Sequence, residues 1–388
     1  MAVVIATLAG ELGIKGKATR SHMVSELIAN IKSAVNLKDY QVMGGTLVLN
    51  VEGDVGGLSR VFGIAKYAPA VQVKYSDLSD LVAKASEAAK DDVKGKRFAV
   101  RSSRSHDEDR FTSMDINRAL GSALLPYSGG VDLEDPEVTV HVDVVSRGLA
   151  LVYTDARQGA RGLPVGVAGR TVSLVSGGID SPVATWMMMK RGVVPVMLNL
   201  DFGGGAQRQA VLEEAKVLRA WSGRHDIKVY FVDGLEVLKS LAQVRRDLRV
   251  VVLKRVMYRL AEELSRREGA HSITTGESLS QVSSQTMWNL EAEEYGISLP
   301  VLRPLIGMDK DEIVSLARRI GTYELSSKVP EYCAISQSST TRANLEDVVS
   351  AEQAMNLGYR ELVSSAEVVK VTRDGLVRAG SQEAPRGG

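Results

Sequence analysis

TVSLVSGGIDSPVATWMMMKRG, running from Thr171 to Gly192, decides the fold. An apolar strand, Thr171 to Val175, leads straight into Ser176-Gly177-Gly178-Ile179-Asp180-Ser181, and a helix starts at once. A loop at a strand's carboxyl end and a helix's amino end turns unpaired backbone N–H groups and the positive end of the helix dipole toward an anion. The two glycines let backbone approach that anion closely. Ser176 and Ser181 add hydroxyl donors, and Asp180 could help hold a magnesium ion on bound phosphates. The same string also suits a plain tight turn whose Asp and Ser cap the helix.

Outward from that loop the chain alternates buried strand and helix, with strands expected at Thr171 to Val175, Val194 to Asn199, Lys228 to Val232 and His271 to Thr274. This alternation is the pattern of a doubly wound, mainly parallel sheet, which binds ligands outside the carboxyl ends of its strands. Upstream the pattern differs. Strand Val3 to Leu8, a helix carrying Met23, Leu27, Ile28 and Ile31, and strand Thr46 to Val51 form one small α+β unit. A second α+β unit holds helices near Leu78 to Lys90 and Ser113 to Leu124, and strands at Arg97 to Arg101, Glu137 to Val144 and Leu149 to Tyr153. The expected domains are residues 1–52, 53–156 and 171–378, with a glycine-rich linker at 157–170 and a disordered tail at 379–388.

The 388 residues, 44% hydrophobic and 24% charged, describe an ordinary folded protein of two or three domains. No apolar run reaches the roughly 20 residues that span a bilayer, and the first residues do not read as a secretory signal, so the expectation is a cytoplasmic protein without a membrane segment. A net charge of +1 carries no whole-chain sign of nucleic-acid binding, which leaves local charge to make that case. Arg245, Arg246, Arg249, Lys254, Arg255 and Arg259 read as one basic helix, either a solvated face or a wall toward phosphates. The single cysteine, Cys333, allows neither an internal disulfide nor a CxxC pair.

SGGIDS resembles the motif of ATP pyrophosphatases, which split ATP between its α- and β-phosphates; the GxxxxGK[ST] string of P-loop enzymes does not occur. The resemblance widens along the chain. GLPVGVAGRTVSLVSGGIDSPVA, TGESLSQVSSQT (Thr275 to Thr286), LRPLIGMDKDEI (Leu302 to Ile313) and VPEYCAIS (Val329 to Ser336) stand in the order and spacing of the tRNA 4-thiouridine synthetase family, also called ThiI. GELGIKGKATR (Gly10 to Arg20) is similar to that family's ferredoxin-like opening, and the segment after Leu58 looks like its THUMP domain. The fold class implied is an α/β and α+β multidomain chain: an N-terminal ferredoxin-like unit, a THUMP domain, and a doubly wound parallel-sheet ATP pyrophosphatase domain.

By that resemblance ATP lies over the first strand of the last domain, beside Leu174 and Val175 and on the loop Ser176, Gly177, Gly178, Asp180 and Ser181. Asn199 and Leu200 are then near the adenine, and Lys254, Gly276 and Gln285 match the remaining nucleotide positions, although Arg255 adjoins Lys254. Lys310, which alone reads as a surface charge at a helix start, matches a lysine beside the active site. Cys333, which alone reads as a small apolar filler, matches the sulfur-handling cysteine. The implied reaction has the 4-oxygen of uridine at tRNA position 8 attack bound ATP with magnesium present; a sulfur nucleophile then replaces the activated oxygen and AMP departs. Asp180, the loop amides and Lys310 would stabilise the moving charge.

The rhodanese domain of some members is not matched in these residues, nor is the CxxC of others, so the sulfur donor implied is a separate persulfide carrier, a cysteine desulfurase or free sulfide. A role in thiamine thiazole synthesis is linked to the rhodanese part and is correspondingly less expected. Lys15, Lys17 and Arg20, with Arg101, Arg104 and Arg110, are the candidate contacts to tRNA phosphates. The family resemblance also implies a homodimer. A PP-loop ligase acting on a small molecule is the competing reading, and it leaves the first 160 or so residues without a purpose.

Overall fold

In the computed structural model the described residues are 1–104, 111–327 and 340–379, and they divide into two compact units, Met1–Leu163 and Pro164–Gly388.

The first unit holds two five-stranded sheets. One is built from β1 (Ala2–Leu8), β2 (Asn36–Met43), β3 (Thr46–Glu52), β4 (Ile64–Pro69) and, from much later in the chain, a two-residue strand at Arg157–Gln158. Its order is Arg157–Gln158, β4, β1, β3, β2, all antiparallel. Helices α1 (Gly10–Gly13) and α2 (Lys17–Ala34) follow β1, and α2 buries Met23, Leu27, Ile28 and Ile31. The sheet crosses the boundary expected at residue 53, because β4 pairs with β1 and Arg157–Gln158 then pairs with β4. A hydrogen-bond ladder closes that join: Gly159 N donates to Ala65 O at 2.9 Å, Arg161 N to Ile64 O at 2.8 Å and Gly63 N to Arg161 O at 2.9 Å. Only glycine fits at 159, since a Cβ there would stand 2.3 Å from Ile64 O.

The second sheet uses β5 (Val71–Lys74), β6 (Arg97–Arg104), β7 (Gly130–Val131), β8 (Val138–Ser146) and β9 (Leu149–Tyr153), in the order β5-β9-β8-β6-β7. Helices α3 (Leu78–Ala89) and α4 (Ser113–Leu124) cover one face through Leu81, Ala85, Ile116, Leu120 and Leu124. The cap of α4 is Thr112, which forms a reciprocal capping box with Asp115.

The second unit is one seven-stranded sheet, and the Arg157–Gln158 strand becomes β10 in the count that continues with it. Five parallel strands are β11 (Arg170–Leu174), β12 (Val194–Asp201), β13 (Ile227–Asp233), β14 (Ile273–Thr274) and β15 (Val301–Leu302). A hairpin of β16 (Glu367–Thr372) and β17 (Gly375–Ala379) adds antiparallel to β13, which the sequence reading did not anticipate; Ala379, assigned there to the tail, ends a strand. Residues 380–388 lie outside the described residues.

Between the strands run α5 (Asp180–Lys190), α6 (Gly205–Arg219), α7 (Leu235–Leu241), α8 (Arg249–Glu268), α9 (Met287–Glu294), α10 (Lys310–Ile320), α11 (Tyr323–Ser326), α12 (Leu345–Ala354) and α13 (Tyr359–Ser364). α8 presses Val252, Val256, Leu260 and Leu264 onto Val172, Leu174, Val196 and Leu198. Six consecutive residues of β12 are buried, as befits a parallel strand covered on both faces. The strand order β15-β14-β11-β12-β13 reverses direction at β11, so a crevice opens at the carboxyl ends of β11 and β14.

Candidate active site

The loop that follows β11 fills that crevice. Gly177 has φ +78°, a conformation that favours glycine, and a Cβ there would also meet Gln207 O of α6 at 3.3 Å. α5 then starts at Asp180 with Ile179 as a cap that supplies no side-chain bond, so the helix's first N–H groups receive no side-chain cap from that position. Ser181 Oγ stands 3.4 Å from Ser176 N, Ser176 Oγ 3.4 Å from Gly178 N, and Asn199 Nδ2 donates to Val175 O at 2.8 Å. Gly276, after β14, packs on the same turn: a Cβ would lie 2.8 Å from Asp180 C and Ser181 N.

Two side chains converge on Asp180. Lys310 Nζ donates to Oδ1 at 2.6 Å and Gln281 Nε2 to Oδ2 at 2.9 Å. Lys310 is where a local signal puts it, since Asp309 and Glu312 form the capping box of α10 and Lys310 is its first residue. Gln281 was not singled out in the sequence, although TGESLSQVSSQT contains it; Gln285 was chosen instead.

A cavity of about 550 Å³ opens beside the loop. Ser176, Gly178 and Asp180 stand at one part of its wall, and Leu200, Phe202, Leu253 and Met257 give it apolar surface. Asn199 Oδ1 and Gln207 Oε1, on two further lining residues, are buried without a hydrogen-bond partner among the described residues. Buried amide oxygens without a donor are uncommon, and here they flank a hollow. Glycines that let backbone close in, a helix end without a side-chain cap, and apolar walls together suit a ligand with phosphates at one end and a flat ring at the other. Among the described residues Asp180 is the one carboxylate of the lining, and no group of three or more His, Cys, Asp or Glu able to hold a metal occurs. Asp180 is thus the lining residue whose chemistry suits a divalent ion.

The other expected nucleotide residues are placed as follows. Val175, Asn199 and Leu200 line the cavity with the loop; Leu174 is buried behind them at the end of β11. Gly276 supports the loop from behind, as its close approach shows. Gln285 sits in a turn, its backbone N–H donating to Val282 O at 2.9 Å, and is absent from the lining.

Lys254 is held away from the cavity by carboxylates. Its ammonium lies 2.8 Å from Glu277 and 3.5 Å from Glu293. Burial opposes the charge of Glu277, but Lys254 and Arg303 overcome it and hold this carboxyl well below the usual range; Tyr258 and Thr275 also donate to it. Glu293, wholly buried, is pushed well above that range by burial.

The basic stretch is mixed: Arg245 and Arg246 are exposed ahead of α8, which begins only at Arg249, whereas Arg255 is buried within it. Arg255 is 1% exposed, donating to Ala292 O at 3.1 Å and pairing with Glu352 at 3.3 Å. Arg245 pairs with Asp247 and Asp347, Arg249 binds Val244 O and Ala242 O, and Arg259 binds Gly296 O. The partners of Arg255 and Arg259 come from distant parts of the chain, where no local pattern announces them.

In the first unit Lys15 and Lys17 are exposed at the entry to α2, while Arg20 donates to Gly44 O. Arg101 is exposed and reaches Leu133 O at 3.3 Å; Arg104 stands over the Phe111 ring, 5.9 Å from its centroid. Arg110 and Cys333 lie outside the described residues. Among the described residues no helix is long and apolar enough to cross a membrane.

Residues 166–357 match the family described as Thiamine biosynthesis protein (ThiI), and residues 75–155 match the THUMP domain. A protein of Sulfurisphaera tokodaii named "Probable tRNA sulfurtransferase" is 51% identical over 369 residues, covering 95% of this chain and all of that one. A Saccharolobus islandicus protein of the same name is 49% identical over 376 residues, again covering 95% of this chain and all of the other. Among solved structures, a 4-thiouridine synthetase in complex with RNA and with bound ATP superposes with a TM-score of 0.85 at 30% identity, over 95% of this chain and 99% of that one. A full-length relative at this identity, together with the same domains in the same order, makes the chain a member of the tRNA sulfurtransferase (ThiI) family.

Proposed function

We propose that this chain is an ATP-dependent tRNA sulfurtransferase that converts uridine at position 8 of tRNA to 4-thiouridine. The observation that carries the reading is the convergence of Lys310 and Gln281 on Asp180 at the helix start that follows the SGG loop. ATP is the co-substrate, its phosphates on the loop from Ser176 to Ser181 and its base against Leu200, Phe202, Leu253 and Met257. The loop N–H groups and the Lys310 ammonium offset negative charge as pyrophosphate leaves and the uridine 4-oxygen becomes adenylated. Asp180 is the residue that would help hold a magnesium ion, which when bound would supply further neutralisation of that charge.

Sulfur then displaces AMP at the ring carbon. Cys333 is the thiol for carrying a persulfide from a separate donor: its outer sulfur bonds to the ring carbon as AMP leaves, and an external thiol then cleaves the remaining S–S bond, since the sequence holds no second cysteine; free sulfide would bypass both steps. Lys15, Lys17 and Arg101 supply exposed positive charge for the tRNA backbone. A cytoplasmic homodimer is the assembly and location that go with this activity.

The test is incubation with unmodified tRNA, ATP, magnesium and either sulfide or a persulfide donor, read by the near-ultraviolet absorbance of 4-thiouridine. No product with any donor, while ATP still binds, rejects the reading. Cys333→Ser should spare adenylation, read as pyrophosphate release, and block transfer from the persulfide donor; full activity of that variant with every donor would remove the thiol from the mechanism.

A further inference from the structure

Glu214 lies in the interior of α6 with no exposed surface, and the reaction proposed above gives it nothing to do. Ser326 Oγ donates to its Oε1 at 2.8 Å, and its Oε2 has no partner among the described residues. Burying a carboxyl with one bond to satisfy it is costly, and an apolar side chain would fill the position without that cost.

Its place in the fold gives the contact a purpose. Gln207, two turns earlier on α6, donates Nε2 to Ser176 O of the loop at 2.9 Å. Ser326, at the end of α11, meets Glu214. α11 is joined to α10 through Gly321, where a Cβ would stand 3.8 Å from the Val217 side chain of α6, and α10 opens on Lys310, which returns to Asp180 of the loop. Loop, α6, α11 and α10 thus form a closed ring around the cavity, whose wall includes Gln207, Lys310, Ser326 and Ser327.

Resting on the function proposed above, we infer that Glu214 is a positioning residue of the reaction: through Ser326 it fixes the Ser326–Ser327 wall and, along α10, the stance of Lys310 against Asp180. Burial pushes the Glu214 carboxyl up to about 8, so at neutral pH it is the uncharged acid, able to accept from Ser326 or to donate to it. Ser326 Oγ also lies 3.1 Å from Thr322 O, which can take the serine's own proton.

The experiment compares the full-length protein with E214A, E214Q and S326A, using unmodified tRNA, ATP, magnesium and sulfide, and follows AMP formation, 4-thiouridine and thermal unfolding. E214A and S326A should each lower kcat about tenfold or more with ATP KM changed less than about threefold, and the double variant should be no worse than either single one. E214Q, which keeps shape, neutrality and hydrogen bonding, should stay within about twofold of the unaltered protein. Unchanged kcat in E214A and S326A, or an E214Q as impaired as E214A, overturns the inference. Should E214A fail to fold, S326A, which loses one hydroxyl, decides by the same criterion. Failure of the functional reading looks different, because the unaltered protein would then make no 4-thiouridine.

Discussion

Lys310 Nζ lies 2.6 Å from Asp180 Oδ1 across 130 positions of sequence. One is fixed by the strand-to-helix turn after β11, the other by the Asp309–Glu312 capping box that starts α10. Each is placed by its own local rule, and the sheet brings the two rules together. The pair is partly exposed to solvent, so its Coulomb energy adds little to stability; its worth lies in pre-setting a cation where phosphate charge arrives.

Lys310→Met should therefore leave the melting temperature nearly unchanged and lower kcat for AMP formation about 100-fold or more. Asp180→Ala should abolish AMP formation. Equilibrium ATP binding, measured beside the rates, separates lost chemistry from lost affinity, and a Lys310→Met enzyme of normal kcat would contradict this role.

Gly276→Ala should damage the site from behind, because its Cβ would meet the backbone of Asp180 and Ser181 at 2.8 Å. The expected cost is about 1–3 kcal/mol of stability together with weaker ATP binding. Gly121→Ala is the control: nothing lies within 4 Å of its Cβ in α4, and helix propensity favours alanine by about 1 kcal/mol. Urea titration and ATP binding of both variants check the contrast.

Glu277→Gln would leave Lys254 and Arg303 buried with a weakened partner, costing about 3–5 kcal/mol at neutral pH. The native carboxyl is held below its unfolded value, so its contribution is present above the unfolded value of 4.5 and is lost as pH falls through the lower native one. The stability gap between the unaltered protein and E277Q should accordingly narrow on acidification, as urea titrations at pH 7 and pH 4 would record.

Glu214 has the opposite sign. Burial raises its native pKa from 4.5 to about 8, so the stability it contributes is complete below 4.5 and is lost as pH rises toward 8, by about 1.4 kcal/mol per pH unit. E214Q does not titrate; its melting temperature relative to the unaltered protein should climb between pH 5 and pH 8. A gap independent of pH would show that the carboxyl is ionised in the folded state.

Lys15→Ala with Lys17→Ala should weaken tRNA binding and make its salt dependence shallower, while ATP affinity without RNA stays put. If both lysines touch phosphates, the slope of log K against log salt should drop by roughly 0.7–0.9 for each. Filter binding at several salt concentrations tests this, and an unchanged slope would remove both lysines from the interface.

Where function rests on local chemistry, the sequence was readable. The SGG loop, the capping box that starts α10, and the buried face of α2 each follow from neighbours a few residues away. Long-range pairing hid the rest. Arg255 reads as one more charge on a basic helix until Glu352 is found beside it, and nothing local to Lys254 announces its contacts with Glu277 and Glu293. Gln281 and Gln285 sit in the same polar loop, and only the fold shows which one turns to Asp180. β2, NLKDYQVM, lacks a clear alternation because it is an edge strand with every residue exposed or half-buried.

The pairing of Arg157–Gln158 with β4 has a consequence for how the chain is made. A sheet whose first strand leaves the ribosome at residue 2 gains its last strand more than 150 residues later, after the entire β5–β9 sheet has been synthesised. At a few residues per second the nascent chain would hold β4 with one edge unpaired for many seconds, so the two halves of the first unit must mature together rather than in series. A fragment cut before Gly159 would carry that open edge permanently, and the smallest piece expected to fold by itself extends to about Leu163.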